Sequence, residues 1–284
     1  MSDGTPAVDI QALRWLASGH DPIAFLTTRP VECSRSITDP QRAAARDLGR
    51  AAFESPVLLG GSAGRRGLSC ASCHINGRGN PDFFIEGLSN APGTADVTSS
   101  LLSKVTDDAL FNPKPIPDIA TRDGTQIRDR TSADFHAKLH GLIVDEFSGQ
   151  VPPAAVFEAV RIYLDHLDIA VCREPAARVP VRASDDLESL ATALGGARSA
   201  MDVANREFWS RVARRQLERI DERLSDPALA GVRERIAMLS RRLGESTPVA
   251  GNEWAALAAE VQANEARSLY NPAVLRAALA VQRP

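Results

Sequence analysis

Lysine is scarce in this chain: Lys104, Lys114 and Lys138 are the only three among 33 basic residues, and arginine supplies the rest. A lysine-ringed docking face is therefore not expected, and a charged docking face would have to be built from arginine. An excess of one sign is missing too. The 33 basic and 36 acidic residues leave a net charge of -3 and a pI near 6.0, which gives no electrostatic reason to expect nucleic acid or an anionic membrane as partner. No run approaches the roughly 18 apolar residues of a membrane span, so no membrane span is expected. Methionine is limited to Met1, Met201 and Met238, which leaves a long central stretch with none. What is present suffices for a globule: 44% hydrophobic residues over 284 positions can bury the core of one large domain or two ordinary ones.

The densest chemistry lies in Ser69-Cys70-Ala71-Ser72-Cys73-His74. A C-x-x-C followed at once by His is the spacing that attaches a haem covalently. Two thiols three positions apart sit on one helical turn and can each add to a haem vinyl group, while the next residue offers an imidazole to the iron. Cys70 and Cys73 are thus the expected thioether anchors of one haem c, with His74 as proximal iron ligand. A thioredoxin-like dithiol or half of a zinc site shares the C-x-x-C spacing. The first is expected near a βαβ pattern and the second needs another ligand pair nearby, and the sequence shows neither.

Setting that pair aside leaves Cys33 and Cys172, one on each side of the motif. An even remainder suggests a disulfide, with two buried free thiols as the alternative. Covalent haem attachment belongs to oxidising, extracytoplasmic compartments, so a periplasmic location is expected. Met1 to Asp9 carries no charged n-region followed by an apolar run, and the sequence therefore reads as a mature form without a signal peptide.

Around the motif, Leu48-Gly49-Arg50-Ala51-Ala52-Phe53, then Ser55-Pro56-Val57-Leu58, a glycine-containing turn and Leu68 to His74 resemble the haem-attachment region of the bacterial cytochrome c peroxidase and MauG-like family. The resemblance covers about residues 39–167 and implies a cytochrome c-like domain. Thr98-Ser99-Ser100-Leu101 and Pro115-Ile116-Pro117 with Arg122-Asp123-Gly124 sit where that family has two structural turns. The family often carries a Met or His just ahead of the DG pair. Ala120, Thr121 and Arg122 stand there instead, so the resemblance assigns no distal ligand.

The periodicity predicts an all-α protein, in which the resemblance implies a cytochrome c-like haem domain and the later helices an antiparallel helical bundle. An N-terminal helix in Asp9–Phe25, stopped by Gly19 and Asp21-Pro22, and a loop to residue 38 are expected to pack on the haem domain, 39–172. Helices are predicted from Pro40 through Ala52, from Ser132 toward Phe147 and from Ala154 to Leu167, separated by a long loop over 76–123. Residues 173–183 read as a linker and 184–284 as the bundle. Its helices begin at Ser184-Asp185-Asp186, near Met201 and at Asp226-Pro227, and the last is predicted as one piece, Asn252 to Leu279.

The iron's sixth position divides the functional expectations. It is left open, or filled by His136 or His140, which share a helix face, or by Met201 or Met238 from the bundle. Glu86, Glu146 and Arg122 are conceivable acid–base groups over an open iron, and Arg65, Arg66 and Arg78 are conceivable partners of haem propionates. Only one C-x-x-C-H is present, whereas di-haem peroxidases carry a second for electron entry. The expected function is a single-haem cytochrome exchanging electrons with a redox partner protein. A peroxidase-like enzyme with an open distal site is the alternative, and a haem-based sensor or interaction subunit is the third.

Overall fold

The computed structural model describes residues 8–103, 105–121, 129–245 and 249–281. Among these the chain is mostly helical, with twelve α-helices and only short two-stranded sheets. In chain order the helices are α1 Pro22–Thr27, α2 Pro40–Phe53, α3 Pro56–Leu59, α4 Gly61–Arg65, α5 Cys70–Cys73, α6 Ala133–Gly141, α7 Ala154–His166, α8 Ala183–Ser199, α9 Val203–Arg223, α10 Ala230–Gly244, α11 Gly251–Ala263 and α12 Pro272–Val281. None is long and apolar enough to cross a membrane. The described residues fall into two compact units, one containing 15–20 and 29–179, the other 8–14, 21–28 and 180–281.

In the unit that carries the cysteine motif, α2 and α7 pack directly on each other. Asp39 caps α2 by accepting from Gln41 N at 3.1 Å, and Pro40 stands at the first helical position, where its missing N–H costs nothing. Gly49 sets the crossing. A Cβ there would lie 1.9 Å from the Ala159 carbonyl oxygen, so only glycine lets the two backbones meet. One turn on, the Phe53 and Tyr163 rings lie 5.3 Å apart, a tilted pair that adds roughly 0.5–1.5 kcal/mol beyond the area it buries. The Tyr163 hydroxyl, fully buried, donates to Glu32 at 3.1 Å. Ser132 caps α6 by accepting from Phe135 N at 3.2 Å, and α6 continues into a π-helical turn, Leu142–Glu146.

Cys33 and Cys172 are joined as a disulfide, with Cα atoms 5.2 Å apart and 139 residues of separation. The bridge sits in a backbone-bonded seam: Asp168 N donates to the Cys33 carbonyl at 2.8 Å and Arg35 N to the His166 carbonyl at 2.8 Å. Arg130, buried at 1% exposure, donates to the Leu164, Leu167 and Ile119 carbonyls. Its guanidinium thereby serves the last turn of α7, where carbonyls have no helical N–H left to accept from.

In the other unit, α8 packs on α9, α9 on α10, α10 on α11 and α11 on α8. Arg233 pairs with Asp221, while seven residues earlier on α9 Arg214 meets Ser240, seven residues later on α10, so these two helices run antiparallel. Arg242 with Glu253 and Arg235 with Glu260 repeat that stagger between α10 and α11. A buried polar knot ties the top of α8 to the chain before α12: Tyr270 donates to Asp186 at 2.6 Å, and Arg219 pairs with Asp186 at 2.9 Å. Arg223 lies over the Tyr270 ring and donates to the Leu269 and Leu26 carbonyls.

Three expectations change. The N-terminal segment is not one helix, and it divides between the two units: 15–20 and 29–38 group with the motif-bearing unit, 8–14 and 21–28 with the other. Its helical part is a 3-10 turn, Gln11–Trp15, and α1, whose N-cap is Asp21, so Asp21-Pro22 opens a helix instead of stopping one. Val8, Ile10 and Leu26 bury against Leu269 and Leu275, which is why 8–14 and 21–28 group with 180–281. The last predicted helix breaks into α11 and α12 around a 3-10 turn at Glu265–Arg267, because Asn264 and Pro272 end one helix and start the next. Finally, the stretch after the motif holds two short antiparallel pairs, His74–Ile75 with Arg78–Gly79 and Thr94–Ala95 with Lys114–Pro115.

Candidate functional site

Cys70 to Cys73 form one helical turn, α5, entered through Ser69, whose backbone N donates to Ser72 Oγ at 3.0 Å. The chain then reverses at once. Asn76 and Gly77 both have positive φ, 53° and 74°, as a type I′ hairpin turn requires, and the register pairs Ile75 with Arg78 and His74 with Gly79. Asn80 fastens the hairpin back on the turn through its N–H to the Cys73 carbonyl at 2.9 Å and its side chain to the Ser72 carbonyl at 2.9 Å. His74 is therefore held at both ends by local backbone geometry.

His74 Nδ1 lies 3.1 Å from the Pro117 carbonyl oxygen. A carbonyl can only accept, so Nδ1 carries the proton and Nε2 keeps its lone pair. Burial lowers the His74 pKa to about 4, against an opposing push from the Pro117 hydrogen bond and Asp118, so the ring is neutral near pH 7. A neutral imidazole with one nitrogen donating to a backbone carbonyl and the other free is the form that ligates a metal.

Cys70 and Cys73 are free thiols, each half-buried. Both pack on an apolar cluster of Leu59, Ala63, Leu68, Phe83, Leu88, Ala95 and Leu102, with Trp15, Ile85 and Phe147 at its margin. Burial pushes each thiol up to about 12. Dithiol redox centres work the other way, holding one thiol between about 3.5 and 7.5 so that it is a thiolate at neutral pH. Among the described residues no group of three or more His, Cys, Asp or Glu side chains is placed to hold a metal ion, so the other ligands a structural zinc would need beside Cys70 and Cys73 are not brought there. The donor set fits a covalent haem c: two unbridged thiols on one turn, an apolar wall beside them, and a neutral imidazole as the next residue.

The candidate distal groups are scattered. His136 is exposed, its ring 4.4 Å from that of Phe157. His140, four residues on, is half-buried. Met201, 96% exposed in the bend between α8 and α9, and Met238, 43% exposed on α10, lie on the surface of the unit that does not carry the motif. Glu86 is exposed. Glu146 differs: it closes the π turn beside Phe147, its Oε2 is buried without a hydrogen-bond partner among the described residues, and burial raises its pKa against the pull of Lys138. Arg122, with Asp123 and Gly124, lies outside the described residues.

The three arginines near the motif are engaged locally. Arg65 reaches Ser62 Oγ at 3.3 Å, Arg66 the Leu101 carbonyl at 3.1 Å, and Arg78 the Asp118 carboxylate. Sequence reasoning passed over Pro117 and Asp118 as site residues. The Asn76-Gly77 pair, the strongest short hairpin signal in the chain, would have placed Arg78 and Gly79 beside His74. Comparison with protein-family models, with curated proteins and with solved structures gave no match to this chain.

Proposed function

We propose that the chain is a periplasmic single-haem c-type cytochrome that exchanges electrons with a redox partner protein. The observation that carries the reading is the His74 imidazole, neutral, donating from Nδ1 to the Pro117 carbonyl beside two unbridged, half-buried thiols. Cys70 and Cys73 would hold haem through thioethers and His74 would ligate its iron from Nε2. Such a group supplies one-electron chemistry by cycling between ferric and ferrous iron. The residues here do the rest. Leu59, Leu68, Phe83, Leu88 and Leu102 offer a dry wall, the α5 turn fixes both sulfurs, and the hairpin and Pro117 fix the ring. On this reading 39–172 is a cytochrome c-like domain, and the pairwise packing of α8 to α11 with two antiparallel pairs supports an antiparallel bundle after it.

Glu146 favours a second reading, a peroxidase-like enzyme with an open distal position. A half-buried carboxyl with an unsatisfied oxygen and a raised pKa is a proton donor and acceptor in search of a partner. Its segment reaches the same core: Phe147 packs on the cluster that holds Cys70 and Cys73, and Ser103 donates to the Asp145 carbonyl at 2.6 Å.

The test is an intact mass and an optical spectrum of protein made in a cell equipped for cytochrome maturation. One haem added to the polypeptide mass and a six-coordinate spectrum unchanged by CO are the results expected of an electron carrier. Fast CO or peroxide binding by the attached haem transfers the assignment to the second reading, and bare polypeptide mass without Soret absorption removes both.

A further inference from the structure

Arg78 is bound on several sides, four residues beyond His74. Its Nε donates to Asp118 Oδ2 at 2.5 Å and its Nη1 to the Pro175 carbonyl at 2.7 Å, with Cys33 Sγ 3.8 Å from the same Nη1. Its backbone is fixed opposite Ile75 in the hairpin that begins at His74. Asp118 directly follows Pro117, whose carbonyl accepts from His74. The turn it belongs to is clamped from the other side as well. A Cβ on Gly79 would lie 2.8 Å from the Ile116 carbonyl oxygen, and Ala120 N donates to the Gly77 carbonyl at 3.0 Å. The guanidinium thus joins three pieces: the hairpin, the turn that faces the imidazole, and the segment just beyond the disulfide.

We infer that Arg78 is the positioning residue for His74, holding Asp118 and Pro175 with one planar fork so that the Pro117 carbonyl stays in line with Nδ1. The inference rests on the reading of His74 as an iron ligand. The side chain is 18% exposed, and the fork cannot turn to solvent without giving up two hydrogen bonds. Lysine carries the same charge on a single flexible ammonium and cannot span a carboxylate and a carbonyl in this arrangement. A firmly held Nδ1–H···O=C bond raises the basicity of the ligating imidazole, which favours the ferric state. Loosening such an outer partner commonly changes metal-site behaviour by 10-fold or more.

The test compares wild type with Arg78→Lys and Asp118→Glu, all matured with haem, in equilibrium with a redox indicator, alongside intact mass and thermal midpoint. Both variants conserve charge, so a shift reports geometry. The expected result is a reduced-to-oxidised ratio raised about 10-fold in each, with haem still attached. Asp118→Glu carries the test alone if Arg78→Lys fails to accumulate. Ratios within 2-fold of wild type, or shifted toward the oxidised form, in haem-loaded variants overturn the role of Arg78 and leave the cytochrome reading standing. Wild type with bare polypeptide mass overturns the cytochrome reading, and this inference with it.

Discussion

Removing the Cys33–Cys172 bridge should act on the unfolded chain far more than on the folded one. The two residues are 139 apart in sequence, and closing a loop of that length lowers the entropy of the denatured ensemble by an amount worth about 5 kcal/mol at 25 °C in the chain-entropy account. The folded seam does not depend on the bond alone. Asp168 N to the Cys33 carbonyl, Arg35 N to the His166 carbonyl and Ile169 N to the Ala120 carbonyl, at 2.8, 2.8 and 2.9 Å, hold the same strands of chain together. A Cys33→Ser, Cys172→Ser double variant therefore keeps its native geometry. The assay is urea unfolding followed by far-UV circular dichroism, on oxidised wild type, wild type with reductant, and the double variant. With a slope of about 2 kcal/mol/M, the midpoint should fall by roughly 2.5 M, and the slope itself should rise because the uncrosslinked chain expands more. A midpoint within about 0.5 M of wild type at unchanged slope would refute the reasoning, since it would mean the loop closure contributes nothing.

Other consequences are as specific. With burial holding Cys70 and Cys73 near 12, folded haem-free protein should react with iodoacetamide at pH 8 on the order of 10³-fold more slowly than urea-unfolded protein, and equal rates would show that the thiols are not buried. Gly49→Ala drives a methyl into the Ala159 carbonyl and should cost about 3 kcal/mol or more, read as a lowered urea midpoint. Asp186→Leu leaves the buried Tyr270 hydroxyl without its acceptor and removes the ion pair with Arg219, and should destabilise by about 3 kcal/mol, whereas a change below about 1 kcal/mol would show the knot to be dispensable. His74 titrates lower folded, near 4, than unfolded, near 6.5, so between those values the unfolded chain binds the extra proton. Its contribution to haem-free stability is complete above about pH 6.5 and is lost as pH falls through 4. A His74→Gln variant should therefore show a flatter urea midpoint against pH over that window.

Local signals were the ones legible in the sequence. Asp39-Pro40 and Ser132 each satisfy an orphan helix N–H through their own side chain within three residues, so short-range chemistry decides those starts. The same rule misled where the signal is two-sided: Asp21-Pro22 can stop one helix or cap the next, and burial of Ile10 and Leu26 against Leu269 and Leu275, a pairing more than 240 residues apart, decided for capping. Cys70, Cys73 and His74 were legible because a C-x-x-C-H spacing is local, and the structure keeps both thiols on one helical turn with His74 next to it. Their supports were not. Pro117 acts through a backbone carbonyl that any residue could supply, and Arg78 acts through partners 40 and 97 residues away. That distribution makes a physical point about the site. The atoms that would bond to a haem are local and set by chemistry, whereas the atoms that tune His74 belong to segments brought in by the fold and pinned by the disulfide seam. On the cytochrome reading, substitutions at Cys70, Cys73 or His74 should abolish attachment or ligation outright, while changes at Arg78 or Asp118 should leave haem in place and alter how it behaves.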